Sequence, residues 1–256
     1  MKDMSDCLVV GDTSQISHCL PSSFSRVSSR NFDADLVDDY DRIFICFAEQ
    51  RTFDNSLDFM EVNYDYTLSM IDDLLPKCNE LVFYSTAMLW EKRKSYSIDD
   101  DYAYDKRNNY LVSKQKITDE LKGKDSVLIH YPCNFNSTKR KDGYLFSKLI
   151  DACAGNPIIT GNLDFNRELV HASYVANTSL YSDESRIIAP GYLTNVRKYF
   201  HDVMEHFGAS PELITENASA KYMPKPNSMH SVVDKTYGYD RLVEDTIIDI
   251  GRHLSD

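Results

Sequence analysis

The 256-residue sequence predicts an α/β fold built on a doubly wound parallel sheet, Rossmann-like in kind, and two observations predict it. Short apolar runs of strand length recur up to Tyr131, and the stretches between them carry apolar residues at helical spacing. Strands alternating with helices close as βαβ units, which allow only parallel pairing with helices on the sheet faces.

Taken in order, Cys7-Leu-Val-Val ends in Gly11, the pattern of a buried parallel strand that turns sharply. Arg42 to Ala48, Glu80 to Ser85 and Ser126 to Tyr131 repeat the form, each set off by polar residues. Leu57 to Leu75 and Tyr110 to Leu121 read as the intervening helices. Downstream of about residue 155 the pattern loosens, with Gly155-Asn-Pro and Ala189-Pro-Gly as breaks and helices near Thr194 to Phe207 and Arg241 to His253. The expected organisation is a sheet domain over residues 1–155 and a smaller region over 156–256, partly interleaved with it, capping the ligand edge.

Composition excludes several classes of function. Forty acidic against 28 basic residues leave a net charge of −12, and a pI near 5.0 argues against a general nucleic-acid binder, whose affinity rests on clustered Lys and Arg. The basic run Lys139 to Lys141 is too short to change that. The longest apolar stretches, such as Ile43 to Ala48, fall far below the roughly 20 residues of a membrane span. Cys7 to Val10 lacks the length of a signal-peptide core, so the expected location is the cytoplasm. Six scattered cysteines without a CxxC pair read as reduced core residues, and no metal site is expected among them. No G-x-S-x-G elbow marks a hydrolase.

The pair that carries chemistry is Tyr110-Leu-Val-Ser-Lys114, whose spacing puts both side chains on one helix face. A phenol titrates near pH 10, so acid–base work at neutral pH needs a neighbouring ammonium to stabilise the phenolate. Upstream, Tyr84-Ser-Thr-Ala87 puts Ser85 and Thr86 at a strand's carboxyl end, where ligands bind in parallel sheets.

In these motifs the sequence resembles the extended short-chain dehydrogenase/reductases, the NAD-dependent epimerase/dehydratase family that modifies nucleotide sugars. The resemblance implies catalytic roles for Thr86, Tyr110 and Lys114, with Ser85 as a substrate-side hydroxyl. It likens Phe47-Ala48-Glu49 to the strand end that passes over the cofactor, and Val62-Asn63 with Thr67 to the family's V-N-x-x-G-T helix, Tyr66 replacing the glycine. Tyr131-Pro-Cys-Asn-Phe135 is similar to R-P-x-N-V/F, which nominates Asn134 for substrate. Asn166-Arg-Glu-Leu-Val-His171 is similar to R-D-F/W-V-H, which nominates Arg167 for the nucleotide portion. Trp90 stands where the family has a tyrosine, either as a substrate wall or as core.

The family's cofactor turn reads G-x-x-G-x-x-G, because the backbone must approach a pyrophosphate closely. This sequence keeps Gly11 and substitutes Ser14 and Ser17, and the short span to the next strand, Ser25 to Phe32, implies a clipped first helix. Gly11, Ser14, Ser17, Arg30, Ala48, Tyr110 and Lys114 are the expected cofactor contacts. Arg30, where an acid would bind the ribose of NAD, leans the cofactor toward NADP, with NAD the alternative. Ala87 and Met88 follow Thr86 where the family's dehydratases place an acid, which disfavours dehydration. The resemblance thus implies reduction of a keto nucleotide sugar, with epimerisation and a non-catalytic dinucleotide-binding relative as alternatives, and a homodimer as a possible assembly.

Overall fold

The computed structural model describes residues 6–30, 32–50, 57–139, 144–217, 229–230 and 237–255. Six parallel strands form the central sheet: β1 (Cys7–Val10), β2 (Ser25–Val27), β3 (Tyr40–Ile45), β4 (Cys78–Tyr84), β5 (Val127–Pro132) and β6 (Arg186–Ile188). Their order is β6-β5-β4-β3-β1-β2, with register pairs such as Val9↔Phe44, Phe44↔Val82, Phe83↔Ile129 and Tyr131↔Ile187. All residues of β1 and β5 are buried, as strands covered on both faces require. The second strand is shorter than the expected Ser25 to Phe32. Of that span Asn31 lies outside the described residues, as do Arg140 and Lys141 of the basic run.

The helices are α1 (Gln15–Cys19), α2 (Thr67–Leu74), α3 (Asn109–Leu121), α4 (Leu145–Cys153), α5 (Ala172–Tyr181), α6 (Val196–His206) and α7 (Tyr239–Ser255). The first is clipped to five residues. A π-helical turn, Glu61–Tyr66, runs directly into α2, so the predicted helix over Leu57 to Leu75 carries one wide turn that apolar spacing does not reveal. No helix among the described residues is long and apolar enough to cross a membrane.

Alternation along β4 sorts the two faces. Phe83 lies under the Lys114 ammonium of α3, 4.9 Å from ring centre to nitrogen, while the Tyr84 ring meets His130 edge-on at 6.0 Å on the α5 side. On that side His130 shares a 2.9 Å hydrogen bond with Ser179 of α5. Arg42, buried in β3, donates to the carbonyls of Ser179 (3.1 Å), Leu180 (2.8 Å) and Ser182 (3.3 Å) and pairs with the Glu80 carboxylate. A cation at the carbonyl end of α5 complements the helix dipole, and Glu80 supplies the partner that a buried charge needs. At the carboxyl edge, α7 is tied down where Asp249 accepts from the Thr138 amide (2.7 Å) and pairs with His171 (3.1 Å), the residue that caps α5.

Candidate active site

In a parallel sheet every strand delivers its following residue to the same edge. Gly11 follows β1, Arg30 the turn after β2, Ala48 the exit of β3, Ser85 and Thr86 the end of β4, and Asn134 the end of β5. Chain order also crosses from β2 to β3 on opposite sides of β1, which makes the β1/β3 exit a topological switch point.

Asn108 caps α3 by accepting from the Leu111 amide at 3.3 Å, which starts the helix one residue before Tyr110. Tyr110 and Lys114 then share its buried face, and the Phe59 ring meets Tyr110 edge-on at 6.0 Å. The Lys114 ammonium donates to the Tyr84 carbonyl at 2.9 Å, just before Ser85 and Thr86. Burial drives its pKa down to about 7. Thr118 spends its proton on the Lys114 carbonyl (2.6 Å), so in its 2.7 Å contact with Ser85 the serine is the donor. Ser85 can therefore only accept from a ligand. Thr86 has the opposite balance: its oxygen accepts from the Met88 amide at 3.2 Å, leaving its proton to donate.

One residue that the motif comparison quoted without a role proves central. Asn63, on the π-helical turn, accepts from the Glu49 amide (2.8 Å), donates to the Glu49 carbonyl (3.0 Å) and reaches Ser113 of α3 (3.4 Å). It fixes the β3 exit loop, including Ala48, against the helix that bears Tyr110 and Lys114. Its place in V-N-x-x-x-T was the available signal.

At the β1 exit, Gly11 adopts φ +95°, and a Cβ there would lie 2.8 Å from that of Phe47, so only glycine lets the two loops touch. Ser14 caps α1, accepting from the Ser17 amide at 3.1 Å. Ser17 is buried and donates at 2.8 Å to the Asp12 or Ser14 carbonyl, so a hydroxyl that could crowd a phosphate is turned into the backbone. Arg26 of β2 donates to the Ser17 (2.7 Å), Leu20 (2.9 Å) and Pro21 (3.0 Å) carbonyls, finishing the short helix. Arg30 is exposed. Tyr66 donates to the Ser29 carbonyl and lies 6.0 Å from the Phe47 ring, at the rim of a cavity of about 540 Å³. Phe32, Asp33, Asp35, Asp73 and Lys77 also line this cavity.

Across the crevice the two substrate candidates meet: Arg167 donates to the Asn134 side-chain oxygen at 3.4 Å, and the Asn134 amide donates to the Glu168 carbonyl at 3.3 Å. Parallel pairing of Asn134–Asn136 with Leu169–His171 holds them side by side. Trp90 is fully buried, stacked on Tyr96 at 5.4 Å with its edge to Tyr131 at 5.1 Å, so it belongs to the core. The cysteines are free.

No protein-family model matches the chain, and no curated protein matches it. Solved structures do match over its whole length. UDP-N-acetylglucosamine 4-epimerase from Methanobrevibacter ruminantium, in complex with UDP-N-acetylmuramic acid, is 14% identical with a TM-score of 0.76 over 100% of this chain and 99% of its own. UDP-glucuronic acid 4-epimerase from Bacillus cereus, in complex with NAD, is 14% identical with a TM-score of 0.71 over 96% and 99%. RMD from Pseudomonas aeruginosa, complexed with NADPH, is 13% identical with a TM-score of 0.72 over 96% and 99%. The fold of the chain is that of the extended short-chain dehydrogenase/reductases, the family that its sequence motifs resemble.

Proposed function

We propose that the protein is a nicotinamide-dinucleotide-dependent oxidoreductase acting on a nucleotide sugar, in the first reading by reduction of a keto group. The observation that carries the proposal is Lys114, buried one turn from Tyr110 and bonded to the carbonyl that precedes Ser85 and Thr86. What supports a cofactor at the Gly11 turn is its place at the switch point, where glycine lets the β1 exit pack directly against Phe47 of the β3 exit. Of the expected contacts, Gly11, Ser14, Arg30, Ala48, Tyr110 and Lys114 would hold it, whereas Ser17 is buried with its hydroxyl and amide both bonded within its own turn; when bound the cofactor supplies hydride exchange.

The chain's own residues handle the proton. Tyr110 exchanges a proton with the sugar oxygen, and Thr86, with its proton unspent, donates to the same oxygen and orients it. The Lys114 ammonium favours the phenolate by charge. Ser85 accepts from a substrate hydroxyl, and Asn134 with Arg167 holds the nucleotide portion.

Epimerisation is the second reading, favoured by the 4-epimerases among the structural neighbours, and it asks nothing different of Tyr110 or Thr86. For the cofactor, Arg30 supports NADP, whereas the carboxylates of Asp33, Asp35 and Asp73 around the nearby cavity favour NAD, which lacks the extra phosphate. Self-association through α3 would use its exposed residues, Asn109, Lys116, Asp119 and Glu120 among them.

Titration with NADPH and NADH, followed by nicotinamide fluorescence, tests the proposal. Micromolar binding supports it, and the preferred cofactor decides between Arg30 and the acid-lined cavity. No binding up to millimolar concentration would leave a non-catalytic relative.

A further inference from the structure

The substrate pair and the Thr86 turn lie on separate segments, and one buried connection joins them. Thr86 caps the helical turn Ala87–Trp90. Trp90, at its end, stacks on Tyr96 with rings 11° from parallel. The Tyr96 hydroxyl donates to the Glu168 carboxylate at 2.9 Å, with both residues almost wholly buried. Glu168 follows Arg167 directly, and its backbone carbonyl accepts from Asn134. A carboxylate removed from water needs donors of good geometry, so Tyr96 fixes where Glu168 sits. Moving Glu168 would move Arg167, the residue just before it on the same backbone.

We propose that Tyr96 and Glu168 are positioning residues that couple the Thr86 turn to the Asn134–Arg167 pair, setting the span between the reacting carbon and the anionic nucleotide end of the substrate. The identity of that anion rests on the function proposed above; the coupling itself does not. Because a link of this kind is reciprocal, occupancy at Arg167 is felt at Trp90, and a change at Trp90 is felt at Arg167.

Trp90 is the sole tryptophan, so its emission reports on the link without a label. The first arm uses no ligand: Arg167→Ala shifts Trp90 emission in the wild-type background and leaves it unmoved in the Tyr96→Phe background, where the ring stays and the hydrogen bond is gone. In the second arm UDP is titrated by calorimetry. Tyr96→Phe weakens UDP about fivefold, at the low end of coupling between sites, and leaves NADH and NADPH binding unchanged. Glu168→Gln keeps an acceptor for Tyr96 and stays within twofold of wild type. The proposal is overturned if Arg167→Ala moves Trp90 equally in both backgrounds, or if Tyr96→Phe lowers the melting temperature while UDP affinity holds. If the wild type binds no UDP but the ligand-free arm behaves as stated, the link stands and the nucleotide-sugar reading falls. If UDP binds and Tyr96→Phe changes nothing, the reverse holds.

Discussion

At the β4 side of the crevice, Thr86, Tyr110 and Lys114 are carried by a seven-residue strand and a 13-residue helix, and all three are buried. At the β1 side, Gly11 and Ser14 sit between a four-residue strand and the five-residue helix that carries Ser17, beside an edge strand of three residues. The Tyr110 end is held by long elements, whereas the Gly11 end is held by side chains. Arg26 finishes α1, Ser17 bonds back to its own turn, and Tyr66 ties the π-helical turn before α2 to the β2 exit. Where regular structure has been shortened, individual polar groups take over the job of fixing the backbone.

Four substitutions test that contrast, in falling order of effect. Tyr110→Phe should lower turnover by about 10²–10⁴-fold, the usual worth of a positioned acid or base, and weaken the cofactor far less than it slows turnover; retained turnover removes Tyr110 from the role. Lys114→Met should stabilise the fold by about 1–3 kcal/mol near neutral pH, net of the lost Tyr84 hydrogen bond, and abolish activity. The sign follows from the folded pKa near 7 against an ordinary value of 10.5. Between those limits the unfolded chain binds the extra proton, so wild-type stability rises with pH from about 7 to 10.5, and the gap to Lys114→Met closes there. A gap that stays constant in melting curves across that range contradicts the burial argument.

At the other end, Gly11→Ala should cost about 1–3 kcal/mol from the positive φ and the Phe47 contact, with dinucleotide binding lost alongside. Unchanged binding would show that the two loops can part. Smallest is Arg30→Ala, expected to weaken NADPH by about tenfold or less and leave NADH alone, since the guanidinium is exposed and screened. Equal losses for the two cofactors defeat the assignment.

The same contrast separates what the sequence made legible from what it hid. Tyr110, Lys114 and the strand that ends at Ser85 and Thr86 obey local periodicities, so their neighbourhood could be read from spacing alone. So could the clipped α1, from the few residues between Gly11 and Ser25. The resemblance motifs placed Asn134 and Arg167 separately, and only the fold shows them bonded. The Tyr96–Glu168 contact spans 72 residues and has no local signature. Arg42 was hidden differently: it opened an apolar run as if marking a strand boundary, yet it is buried, because its partners are carbonyls at the end of a helix more than 130 residues away.

That arginine has a consequence for how the molecule opens. Its guanidinium reaches three carbonyls at the end of α5 from a buried position in β3, so the joint between strand and helix lies inside the core. Surface helices commonly exchange their amide hydrogens through local fraying, at little free-energy cost. The last turn of α5, gripped from inside the sheet, should instead exchange only when the sheet itself comes apart. The five-residue α1, clamped from the exposed edge strand, should exchange early. Hydrogen exchange would then divide one layer of helices into a part that opens with the whole protein and a part that opens alone, and the part that opens alone is the one beside the Gly11 turn.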